Sequence, residues 1–94
     1  MILLLVLREK QTYGAALVRL YIESFEKEIT LPAVVMVLKR LEKKGLLKSF
    51  TAEPTQQRGG RRKVMYEATA LGFSTAEEAM EAKNQIWNVI PKAQ

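Results

Sequence analysis

The sequence contains no cysteine and no histidine. Without cysteine there is no disulfide framework, no thiolate metal site and no thiol nucleophile. Without histidine there is no zinc finger of the usual ligand set and no Ser-His-Asp triad. The missing cysteines suit a reducing cytoplasm, which is the expected location. Long apolar runs are missing as well. Met1 to Leu7 is an apolar run of seven residues, far below the roughly 20 that span a bilayer. It has neither the basic flank nor the small-residue cleavage site of a signal peptide. It is expected to be a core helix, and no membrane partner is expected. Carboxylates nowhere sit beside a base or a phosphate loop. Glu77, Glu78 and Glu81 fall at spacings that suit a solvated helix surface. No catalytic residue, metal ligand or cofactor is expected, and the chain is not expected to be an enzyme.

Positive charge is abundant and unevenly placed. Between Lys39 and Lys63 lie nine basic residues (Lys39, Arg40, Lys43, Lys44, Lys48, Arg58, Arg61, Arg62 and Lys63) against two acids, Glu42 and Glu53. That segment nets +7 in a chain whose total is +5, so the remainder sums to −2. A basic segment of this density favours an anionic partner. At 94 residues the chain allows one domain, with a workable but thin core.

Hydrophobic spacing gives the order of elements. A first helix is expected over residues 1–9. Thr12 offers an N-cap for a second helix, whose apolar positions are Ala16, Leu17, Leu20, Tyr21 and Phe25. Thr30 caps a third, with Pro32 in its first turn and Val34, Val37, Leu38 and Leu41 as its buried stripe. Lys43-Lys44-Gly45 then supplies a helix stop, with cations in the last turn and glycine after it. Residues 46–52 and 63–68 read as two strands of a hairpin around Gly59-Gly60. A last helix follows Thr69, or starts at Ser74 or Thr75, and Pro91 ends it. The fold class is mainly α with a β-hairpin: three helices, a two-stranded wing and a C-terminal helix, the winged helix-turn-helix order. Residues 1–68 form the winged-helix unit, and residues 69–94 the C-terminal dimerisation helix.

Fold does not fix function, so the charge pattern carries the next step. The third helix is the candidate recognition helix, with Lys39, Arg40 and Lys43 projecting towards phosphates. Arg58, Arg61, Arg62 and Lys63 form a cationic wing tip. Each feature alone is also what a solvated surface looks like; together on one helix-turn-helix-wing they point to double-stranded DNA. The reading end of the third helix is apolar. Thr30 is its one polar group, and Pro32, Ala33, Val35 and Met36 offer thymine-methyl contacts or a surface for a protein partner. On the last helix, Phe73, Ala76, Met80, Lys83, Trp87 and Ile90 recur at spacings of three and four, the seam of a homodimer or of packing on the first helix. Trp87 reads as a dimer anchor or as one wall of a pocket for a flat ligand.

In their order and spacing these residues resemble the PadR-type winged-helix transcription regulators, over about residues 2–72. Ile2 to Leu7 is similar to that family's opening helix, and Tyr13-Gly14 with Leu17 to its second. Leu38-Lys-Arg-Leu-Glu-Lys-Lys-Gly-Leu46 is close to its recognition-helix exit. Arg61-Arg-Lys-Val-Met-Tyr66 resembles its wing strand, and Ala68-Thr69 to Gly72 its last helix start. Ala33 and Val35 stand where the family often carries Thr and Tyr. Because the chain opens directly in its first helix, a few residues ahead of Met1 are expected. The resemblance implies a cytoplasmic homodimeric repressor that pairs through its last helix. In some members a small aromatic effector relieves repression, and Trp87 is placed for that role by position. The alternative is a winged-helix protein-interaction module without sequence-specific DNA binding.

Overall fold

The computed structural model describes residues 1–52 and 63–91. Its order is α1 (Ile2–Glu9), α2 (Gly14–Phe25), α3 (Leu31–Lys43), β1 (Leu47–Thr51), β2 (Val64–Ala68) and α4 (Ala70–Val89). The expected order of helices and strands is therefore present, with β1 shorter by a residue at each end and β2 by one at its start.

The core lies where α1, α2 and α3 meet the inner face of the hairpin. Leu17, Leu38, Leu47, Val6 and Val34 are fully buried there, joined by Ile2, Leu5 and Tyr66. Removing each such aliphatic side chain from water contributes about 1.5–3 kcal/mol. The spacing of Val34 and Leu38 explains how α3 sits, because both lie on one face and point inward.

Local chemistry sets the helix ends. Thr30 Oγ1 accepts the Ala33 N–H at 3.3 Å, which starts α3 with Pro32 in its first turn. At the other end Gly45 adopts φ +80°. The Gly45 N–H reaches the Glu42 carbonyl and the Leu46 N–H the Leu41 carbonyl, the paired bonds of a Schellman stop. This delivers the chain straight into β1. Thr69, rather than Ser74 or Thr75, caps α4: its Oγ1 accepts the Gly72 N–H at 3.0 Å.

One expected cap is corrected. Tyr13, not Thr12, precedes α2. Thr12 is buried and exchanges both backbone bonds with Tyr66, at 3.1 and 2.7 Å. It forms a third, one-residue rung beside β2. The backbone groups of Thr12 are satisfied by the sheet, so the residue is unavailable to the helix start.

The strands pair antiparallel, from Leu47 opposite Ala68 to Thr51 opposite Val64. Leu47 and Tyr66 face the core. Phe50 and Met65 pair on the outer face, next to the cross-strand ion pair of Lys48 and Glu67 at 3.6 Å. Helix α4 leaves the core after its second turn. Gly72 and Ala76 are its buried residues, and every position from Glu77 to Ile90 is exposed in the single chain.

Candidate nucleic-acid interface

The outward stripe of α3 carries the chemistry. With Val34 and Leu38 inward, residues four, seven and eleven positions beyond Pro32 share the opposite face. Pro32, Met36, Lys39 and Lys43 occupy it, with Arg40 at its edge, and all five are exposed. The stripe is divided along its length. Its first two turns are apolar and its last two are cationic. Lys39, Arg40 and Lys43 make no ion pair with any described residue. Their charges are directed at solvent rather than spent within the fold.

Not all of the basic segment joins this face. Lys48 is held on the outer side of the wing by Glu67. Lys44 caps the end of α3, where a cation meets the negative end of the helix dipole. Lys63, just ahead of β2 at the loop end of the hairpin, lies over the Tyr13 ring with Nζ 4.3 Å from its centroid, a cation–π contact. Lys63 and Lys39 both border a groove of about 370 Å³ between α3, the start of α2 and β2, with Leu31, Val35 and Tyr13 along its walls. Lys39 of α3 and Lys63 of the hairpin therefore share one side of the molecule, although 24 residues separate them in sequence. Arg58, Arg61 and Arg62 lie outside the described residues.

The other expected contact residues are placed as follows. Thr30 is exposed at the head of α3, its hydroxyl oxygen accepting the cap bond. Val35 is half-buried and turned towards the wing groove. Ala33 is half-buried on the opposite flank, beside Ile22 and Ile29. Both flank the stripe and neither stands at its centre. Leu31 was not among the expected contacts, yet it is 46% exposed beside Pro32.

Glu42 has a separate task. Its carboxylate accepts the Ser49 hydroxyl, which ties α3 to β1. Tyr66 lies close by. Burial, and secondarily the Glu42 charge, raise the Tyr66 phenol above its ordinary range. One side-chain hydrogen bond thus joins α3 to β1 beside the buried Tyr66.

On α4, Phe73, Met80, Lys83, Trp87 and Ile90 are exposed, and Ala76 is buried within the chain. Phe73, Ala76 and Met80 border a small dent against Leu4 and Leu7 of α1. Further along, Met80, Lys83, Ile86, Trp87 and Ile90 edge an almost wholly apolar cleft of about 320 Å³. Ile86 and Val89, exposed at 63% and 79%, extend that surface beyond the expected seam. Among the described residues no helix is long and apolar enough to cross a membrane.

Fold and stripe together define a winged helix-turn-helix. No protein-family model and no curated protein matches the chain. Solved structures do. A PadR family transcription regulator from Clostridium difficile R20291 is 27% identical with a TM-score of 0.74, covering 94% of this chain and 90% of its own. A PadR-like transcription factor from Bacteroides fragilis is 25% identical with a TM-score of 0.74, covering 96% of this chain and 85% of its own. A PadR-like transcriptional regulator from Bacillus cereus shares the fold at 19% identity and a TM-score of 0.71, covering 93% and 81%. The resemblance to PadR-type winged-helix regulators read in the sequence is thus borne out over nearly the whole chain.

Proposed function

We propose that this chain is a DNA-binding transcription regulator that acts as a homodimeric repressor. The observation that carries the reading is the solvent-directed row Lys39, Arg40 and Lys43 on the helix that a winged helix-turn-helix lays in the major groove. Lys63 borders the same groove as Lys39, and Arg58, Arg61 and Arg62 are proposed from the sequence as further contacts to the backbone. Such contacts release counterions, so they give affinity that falls steeply with salt and little sequence information.

The homodimer reading rests on α4. A lone helix exposing Met80, Ile86, Trp87, Val89 and Ile90 to water leaves apolar surface that a two-fold partner would cover. Two copies then present two recognition helices to successive half-sites, roughly 34 Å apart. A flat aromatic effector fits the same reading, stacked on Trp87 in the apolar cleft of α4.

The test is duplex binding by fluorescence anisotropy across a salt series. Affinity should fall steeply as salt rises, and replacing Arg58, Arg61 and Arg62 together with Gln should flatten the slope. An unchanged slope removes the wing from the interface. No duplex binding at low salt transfers the apolar head of α3 to the alternative, a protein-interaction module.

A further inference from the structure

The division of the α3 stripe says what kind of base readout is open to it. Over its first two turns the outward groups are Pro32, Met36 and, beside them, Leu31; Met36 is 63% exposed. None of the three carries a side-chain hydrogen-bond donor, the Met36 thioether is only a weak acceptor, and Pro32 lacks even a backbone N–H. Thr30 is the one hydroxyl at this end, and its oxygen already accepts the Ala33 N–H. The next two turns hold Lys39, Arg40 and Lys43. A helix entering the major groove by its N-terminal end sets the first half over base edges and the second over phosphates. The cations therefore fix the occupant as the duplex. The apolar half must meet whatever apolar group the groove floor offers.

That floor offers one such group, the C5-methyl of thymine. We infer that α3 reads thymine methyls, with Met36 and Pro32 as the specificity-determining contacts, and that its preferred half-sites are A·T-rich for that reason. The inference rests on the DNA-binding reading above and goes further by naming the feature recognised. Cytosine methylated at C5 presents its methyl at the equivalent place in the groove and should be accepted in the same way.

Duplexes of about 30 base pairs, long enough for two half-sites a helical turn apart, provide the probes. One is alternating A·T; its twin carries uracil for every thymine, which removes the methyl and keeps the base-pair hydrogen bonds. Anisotropy at a fixed moderate salt should show the uracil duplex bound more weakly, by about fourfold for each methyl seated against the helix. Met36→Ala should narrow the difference between the two duplexes while leaving the salt slope as it was. In a parallel pair, alternating G·C should bind more tightly when its cytosines are C5-methylated. Equal affinity for the thymine and uracil duplexes, with binding still salt-dependent, overturns the inference and leaves DNA binding standing. A thymine preference that Met36→Ala leaves undiminished also overturns it, assigning the effect to duplex shape. Failure to bind any of the four duplexes overturns the inference and the DNA reading together.

Discussion

The Thr69 hydroxyl holds two elements with one oxygen. It accepts the Gly72 N–H and donates to the Gly45 carbonyl at 2.7 Å, so the start of α4 is fastened to the exit of α3. Gly72 completes the joint: a Cβ there would sit 2.1 Å from the Leu46 carbonyl oxygen, and that atom is backbone. Gly72→Ala should therefore destabilise the fold by about 1–3 kcal/mol, the range for overpacking that backbone must absorb. Urea unfolding measures it; a loss below a few tenths would show that the joint yields freely. Tyr66 gives a pH-dependent prediction. Its phenol is raised above the ordinary 10.0 by burial and then by Glu42, so the folded state holds this proton more tightly than the unfolded chain. The stability this contributes is complete below the unfolded value and is lost as pH rises through the folded one. Thermal melts taken upwards past pH 10 should destabilise the native chain faster than Tyr66→Phe. Parallel slopes would contradict the assignment.

At the scale of elements, α3 shows what local pattern reveals and what it leaves hidden. Its cap at Thr30, its stop at Gly45 and its buried stripe are near-neighbour chemistry, and all were legible in the sequence. Thr12 looks like a cap to local pattern, yet Tyr66, far along the chain, takes its backbone groups and Tyr13 precedes α2 instead. The close approach of Gly72 to Leu46 is hidden for the same reason. The basic run also needed the fold to be sorted. Sequence counts Lys48 with the other cations, whereas the hairpin turns it to the outer face and pairs it with Glu67. Helix α4 poses a subtler problem. Spacings of three and four mark an apolar seam without saying which partner covers it. Ala76 meets its own chain, while Ile86 and Val89 lie open beyond the seam. Replacing Ile86 and Trp87 together with Glu should convert a dimer into a folded monomer in sedimentation equilibrium. A dimer that persists would move the self-association surface off α4.

The whole molecule is elongated, 58 by 28 by 19 Å. Its long axis owes much to α4, whose 20 residues measure about 30 Å. The compact end holds the α3 stripe and the wing root. The extended end offers the apolar surface assigned to dimerisation. In the proposed dimer, that separation would let one end bind a polyanion while the other sets the distance between two such ends. The central claim is that the cations of α3 meet DNA phosphates. It is tested most directly by the slope of log affinity against log salt for the native chain and for a Lys39→Gln, Arg40→Gln, Lys43→Gln variant that keeps its thermal stability. Each phosphate contact contributes about 0.9 to that slope. The variant should lose about three contacts' worth per protomer and bind duplex DNA weakly at low salt. An unchanged slope with unchanged affinity would contradict the claim.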